Sequence, residues 1–207
     1  MILIGQFDSP FVRRVGIALT LYGLPFEHRP WSTFGDPEKI RPYNPLTRVP
    51  TLVLDDGDSL IESHCILDHL DSLVPADRAM YPRVEPDRRR AMKVAALAMG
   101  TADKAVSLFY EQQLHQEVSD IWVARCRAQI IDALAVLEAD RADRAGEHWF
   151  DRLGHADIAV AVLLRFLGEA HPGLVPPAAI PALAADAARL EQLPAFQAIS
   201  QPFIPPA

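Results

Sequence analysis

The chain has 207 residues, half of them hydrophobic and 23% charged. At roughly 150 residues per domain this means one or two compact domains, with enough apolar side chain to build a core and no composition for disorder. Twenty Lys and Arg against 27 Asp and Glu leave a formal charge of −7, and no basic run exceeds Arg88-Arg89-Arg90, which excludes the concentrated positive face a nucleic-acid binder needs.

The apolar start Met1-Ile2-Leu3-Ile4 is cut off by Gly5-Gln6, carries no basic leader, and is followed by no window of roughly 20 apolar residues. The chain is therefore expected to be neither exported nor membrane-inserted. Ile2 to Ile4 and the alternating stretch Phe26 to Trp31 read as short strands. Between them Ser9 caps a helix, Pro10 fits its first position, and Phe11, Val15, Ala18, Leu19 and Tyr22 recur at three-to-four spacing until Gly23 supplies a left-handed exit. After an irregular Pro-containing stretch, Thr51 to Leu54 and Ser59 to Ile61 flank Asp55-Asp56-Gly57-Asp58, a strong hairpin signal. Ser63 then caps a second helix, with Ile66, Leu67, Leu70 and Leu73 as its buried stripe and Cys65 as a buried small hydrophobe.

Residues 1–74 thus form an α/β layer, and the segment 75–87, punctuated by Pro75, Pro82 and Pro86, is expected to link it to a second domain, 88–207. There strand signals vanish, and 88–116, 119–144, 156–170 and 180–192 read as helices. The end, with Pro202, Pro205 and Pro206, is expected to run as an extended tail over 200–207.

Four groups can carry chemistry. Ser9-Pro10 is a helix N-cap, and the same hydroxyl and free N–H groups are a place where a thiolate is stabilised; the two roles are compatible. Val49-Pro50 is either a turn before an edge strand or a cis bond that turns the Val49 main chain toward an extended peptide-like ligand. Glu62 is either a solvated acid or, with Ser63, half of an amino-acid clamp, the acid holding an ammonium while the serine hydroxyl and helix terminus take a carboxylate. Arg13-Arg14 opens a helix where cations oppose the macrodipole, so an ion pair, a subunit contact or an anionic ligand must favour it. The two cysteines, Cys65 and Cys126, fit neither a zinc pair nor a disulfide scaffold, which suits a reducing cytoplasm. His64 and His69 are wrongly spaced for one helical turn, and neither HExxH nor CxxC occurs, so no metal is expected.

Taken together, the run Ser9 to Val15, the run Asn44 to Leu52 and Ile61-Glu62-Ser63 resemble the N-terminal domain of cytosolic glutathione S-transferases, most of all bacterial members. Gly154 to Ala159 resembles the segment that opens a central helix of that family's helical domain, so the resemblance covers nearly the whole chain. It implies a thioredoxin-like N-terminal domain followed by an all-α domain. It also implies a homodimer that activates glutathione, as co-substrate, against a small apolar electrophile in detoxification. Residue by residue, it puts Ser9 at the glutathione sulfur, Val49 and Pro50 at the cysteinyl unit, Arg48 beside the glycyl carboxylate, and Glu62 with Ser63 at the γ-glutamyl end. The electrophile is expected between the domains against Phe11, Trp31, Met99, Asp103 and Tyr110.

Two departures stand out: Thr47 and Gly154 replace the usual glycine and the usual Ser or Thr cap. Asp157 keeps its place as a structural acid in the first turn of that helix. Two rivals remain, a glutathione-dependent thiol-disulfide reductase, which would want a cysteine at position 9, and a non-catalytic glutathione-binding protein. For the dimer, the helix 88–116 is the expected contact, through Ala95, Leu97, Met99, Ala102, Val106 and Phe109.

Overall fold

The computed structural model describes residues 1–205. In chain order the elements are β1 (Ile2–Ile4), α1 (Pro10–Tyr22), β2 (Glu27–Arg29), α2 (Pro37–Ile40), β3 (Thr51–Val53), β4 (Ser59–Ile61) and α3 (Ser63–Ser72). There follow α4 (Asp87–Leu114), α5 (Asp120–Ala142), α6 (His155–Ala170), α7 (Pro181–Leu190) and α8 (Pro194–Ala198). Backbone contacts divide the chain into a first unit, Met1–Arg83 with the chain from Gln192 on, and a second, Val84–Glu191.

In the first unit the sheet order is β2-β1-β3-β4, with β1 and β2 parallel and the other pairs antiparallel. α1 forms as its residues dictate. Ser9 Oγ accepts from the Val12 N–H, Pro10 stands at the first position, and Gly23 at φ 69° lets the chain leave through left-handed backbone. Val12, Val15, Leu19 and Tyr22 face inward, and α1 packs on α3 and α8.

Several expectations need correction here. Leu73 lies outside α3 and is exposed, and Cys65 is exposed as well, because it sits about 100° of helix rotation from the buried Ile66 and about 200° from the buried Leu67. The first part of the expected linker belongs to the first unit: Asp71 accepts the N–H groups of Met80 and Tyr81, and Arg83 Nη2 donates to the Asp71 carbonyl at 2.7 Å. The end of the chain also leaves the expected helical domain. Arg13 Nε donates to the Ile199 carbonyl at 2.8 Å and Nη2 to the Phe196 carbonyl at 3.0 Å, with its guanidinium over the Phe196 ring. These bonds satisfy a buried cation and anchor α8, which the periodicity does not announce. Beyond Ser200 the described chain has no regular structure, and Pro206 and Ala207 of the expected tail lie outside the described residues.

The second unit is helical throughout. α4 packs against α5 and α6, and Ala91, Ala95, Ala98, Ala102 and Ala105 are buried, small enough to let helix backbones approach closely. Of the residues expected to form a dimer surface, Ala95, Met99, Ala102 and Phe109 are buried within the chain, whereas Leu97 and Val106 are half-buried.

α6 begins at a buried carboxylate. Asp157 Oδ2 accepts the Gly154 N–H at 2.9 Å and Oδ1 the Trp149 N–H at 3.1 Å, with His148 Nδ1 3.4 Å away. Burial pushes the carboxyl up, against the downward pull of those N–H groups and of His148. The folded protein therefore holds this proton more tightly than the unfolded chain does. The group's own contribution to stability is full below its ordinary value of 3.8 and is lost as pH rises through the raised one. Asp157→Ala leaves two buried N–H groups without an acceptor and is expected to cost about 2–4 kcal/mol, read as a lower denaturant midpoint. Turnover per folded molecule should not change; a fall in turnover at full stability would give Asp157 a chemical role.

Candidate active site

The sheet register brings three segments together. Ile4 at the end of β1 pairs with Thr51 at the start of β3, and Thr51 pairs with Ile61 at the end of β4. The chain therefore leaves β1 toward Ser9, enters β3 through Val49-Pro50 and leaves β4 into Glu62-Ser63, all at one end of the sheet. Gly5 makes the close approach possible: at φ 127°, any Cβ there would lie 2.5 Å from Val12 Cγ2 and 2.8 Å from Val49 Cβ.

Ser9 is half-buried at the N-terminus of α1. Its bond from the Val12 N–H is long, at 3.5 Å, and it uses Oγ only as an acceptor. Among the described residues nothing accepts the hydroxyl proton. A polarised donor at a helix N-terminus is suited to an anion, and a thiolate is such an anion.

The loop before β3 is stapled by Asn44, which is buried. Its Nδ2 donates to the Arg48 carbonyl at 2.9 Å and to Thr51 Oγ1 at 3.2 Å, while its Oδ1 accepts the Leu46 N–H at 3.0 Å. In the sequence Asn44 stands out only as the start of the run Asn44 to Leu52; three bonds across the loop give it a larger part. Thr47 takes φ 53°, the left-handed conformation a glycine would favour, so the substitution leaves the backbone shape in place. The Val49-Pro50 bond is cis. Among the described residues the main-chain N–H and C=O of Val49 have no hydrogen-bond partner. They are a donor and an acceptor offered side by side to an extended ligand.

Glu62, not Ser63, is the residue before α3, and it takes φ 64° with no side-chain cap. Ser63 is instead the first helical residue, because Glu62 already supplies the carbonyl that accepts the Ile66 N–H. Glu62 Oε1 accepts from Arg48 Nη1 at 3.4 Å, both side chains being more than half exposed, so the pair contributes little. A non-glycine residue at positive φ between a strand and a helix is strain of the kind that collects at binding sites. Ser63 is buried, and its Oγ accepts from Arg14 Nη1 at 3.4 Å.

The remaining candidates divide between the units. In the first, Phe11 is half-buried on α1, and Trp31 packs against the cluster of Ile4, Ile40 and Val53 under the Arg29 guanidinium. In the second, Met99, Asp103 and Tyr110 fall on one side of α4 by helical spacing; Met99 is buried, whereas Asp103 is half-buried and Tyr110 exposed. Among the described residues no group of His, Cys, Asp and Glu could hold a metal ion, and no helix is long and apolar enough to cross a membrane.

Residues 3–78 match the family profile described as "Glutathione S-transferase, N-terminal domain". An uncharacterized GST-like protein of Escherichia coli, YibF, is 32% identical over 168 residues, covering 81% of this chain and 82% of its own. A glutathione S-transferase of Methylobacterium radiotolerans, solved with glutathione sulfonate, superposes with a TM-score of 0.88 at 32% identity and covers 99% of this chain and 97% of its own. A glutathione transferase family member of Pseudomonas fluorescens Pf-5, solved with bound glutathione, gives 0.87 at 32% identity, covering 98% and 99%.

Proposed function

This chain belongs to the glutathione S-transferase family, with its thioredoxin-like N-terminal fold and helical C-terminal fold, and we propose that it is a working glutathione transferase. It binds glutathione as co-substrate and ionises the thiol for attack on a small, apolar electrophile. The observation that carries this reading is the set of unspent main-chain and side-chain groups at one end of the sheet: the Ser9 hydroxyl proton and the Val49 N–H and C=O. They are complementary to a peptide that carries a thiol.

Each part of the tripeptide then has its recipient. Ser9 donates to the sulfur once it is ionised. Val49 pairs with the cysteinyl N–H and C=O. Glu62 takes the γ-glutamyl ammonium, Ser63 and the N-terminus of α3 take the neighbouring carboxylate, and Arg48 faces the glycyl carboxylate. Serine at position 9 cannot form the mixed disulfide a reductase needs, which favours transfer over disulfide exchange. The reading extends to a homodimer working in the cytoplasm.

The test has two steps. Glutathione at about a hundred times its Kd should add about 2.7 kcal/mol of stability, several degrees in Tm; an unchanged melt at millimolar glutathione contradicts the proposal. A panel of electrophiles then separates catalyst from carrier, since binding without turnover on any of them would leave a glutathione-binding protein.

A further inference from the structure

We propose that the C-terminal strap, residues 200–205, is a positioning device for Ser9: with Gln201 as the positioning residue, it holds the turn that precedes the serine and so aims the hydroxyl at the sulfur of bound glutathione. The inference rests on the glutathione reading above and adds to it a residue from the far end of the chain, which acts through the serine.

Ser9 ends a tight turn. Its N–H donates to the Gln6 carbonyl at 3.2 Å, so Phe7 and Asp8 are the central residues of the turn, and the backbone at those two positions sets where Ser9 stands. The strap reaches both. Gln201 Oε1 accepts the Phe7 N–H at 3.2 Å, and Asp8 Oδ2 accepts the Ile204 N–H at 3.1 Å. Among the described residues the Phe7 N–H has no other acceptor. The strap is itself fastened just before it reaches the turn. Arg13 holds the Phe196 and Ile199 carbonyls, and a Cβ on Gly16 of α1 would lie 2.8 Å from Ile199 Cγ2 and 3.0 Å from Phe7 Cε1, so the returning chain and the turn close together over a residue without a side chain. Phe7 also stacks on the His28 ring at 3.8 Å, and His28 Nε2 donates to the Gly5 carbonyl at 2.8 Å.

A chain end stays ordered only where it is tied down, and two of the bonds that tie this one land on the two residues before Ser9. The consequence is chemical. A hydrogen bond from the Ser9 hydroxyl to a thiolate depends on distance and direction, so a turn free to shift takes the donor off its line. The other recipients of the ligand, Val49, Glu62 and Ser63, stand on different segments, at the entry to β3 and the exit from β4. Loosening the strap therefore weakens ionisation of the thiol and leaves binding of the peptide in place.

The test titrates the thiolate absorbance of bound glutathione in the wild type, Gln201→Leu, Ser9→Ala and the double variant. Gln201→Leu, which keeps the bulk and removes the acceptor, should raise the pKa of the bound thiol by about one unit and lower the rate at pH 7 about threefold, a deficit that closes near pH 9. Affinity for glutathione at about pH 5, where the thiol is neutral in both, should stay within about twofold. In the Ser9→Ala background the same substitution should leave the pKa where it is, because the group the strap aims is gone. If Gln201→Leu lowers stability and leaves the pKa unmoved, or moves it equally in both backgrounds, the strap does not act through Ser9 and the proposal fails. Should that variant not fold, Ile204→Pro carries the test: the position is exposed, the substitution deletes the N–H that Asp8 accepts, and a rise of the same sign that depends on Ser9 is expected, an unmoved pKa overturning the inference. A wild type that does not bind glutathione, or holds its thiol at the free value, defeats the functional reading itself, an outcome distinct from an unmoved variant beside a wild type with a lowered pKa.

Discussion

Ser9→Ala is expected to lower the rate at pH 7 by about one to two orders of magnitude, equivalent to about 1.4–2.7 kcal/mol. The hydroxyl has a free proton, and a donor at that position stabilises the ionised sulfur and not the neutral thiol. A thiol with a pKa of roughly 8.5 is only about 3% ionised at pH 7, so a loss of stabilisation appears directly in the fraction ready to react. The rate should therefore recover in part as pH is raised toward about 9, because bulk base then makes the thiolate. Glutathione affinity at low pH should barely change. Stability should fall slightly as well: the bond to the Val12 N–H is lost in either role, at a cost of about 1 kcal/mol or less given its 3.5 Å length. A variant with full activity and lowered stability would leave Ser9 as a helix cap alone.

The second large effect is on binding. Glu62→Ala is expected to weaken glutathione affinity by about 1.5–3 kcal/mol, roughly 10- to 150-fold in Kd, because a charge-assisted bond to the ligand's ammonium is lost. Protein stability should move little, since the bond Glu62 makes is an exposed pair with Arg48 at 3.4 Å. The contact is the same before and at the transition state, so the loss belongs in KM with kcat retained. Calorimetric titration of both proteins checks the first point and saturation kinetics the second. Unchanged affinity would make Glu62 a solvated acid held at positive φ for some other reason.

What could be read from the residues was local. α1 carries its own start in Ser9-Pro10 and its own stop in Gly23, and the hairpin carries its turn in Asp56-Gly57, so these elements lie where short-range chemistry puts them. The order Ser9, Val49-Pro50, Glu62-Ser63 was legible for the same reason, each marking the entry or exit of an element. What escaped depends on partners far along the chain. α2, four residues long and beginning at Pro37, is too short to show a period. The return of α8 to the first unit hangs on Arg13 bonds across more than 180 residues. The environment of Arg14 could not be anticipated either, because whether a buried arginine meets a carboxylate or two neutral hydroxyls is decided by packing and leaves no trace in spacing. Cys65 and Leu73 show the limit of the periodic argument: at a helix's end or one step off its stripe, apolar character alone does not determine which side faces water.

The central claim, that this protein ionises the thiol of bound glutathione, is tested most directly by titrating the ultraviolet absorbance of the bound thiolate against pH. The wild type should show a pKa about two units below the roughly 8.5 of a free thiol, equivalent to about 2.7 kcal/mol of differential stabilisation, and Ser9→Ala should move it back toward the free value. A wild-type curve coincident with that of free glutathione would contradict the account.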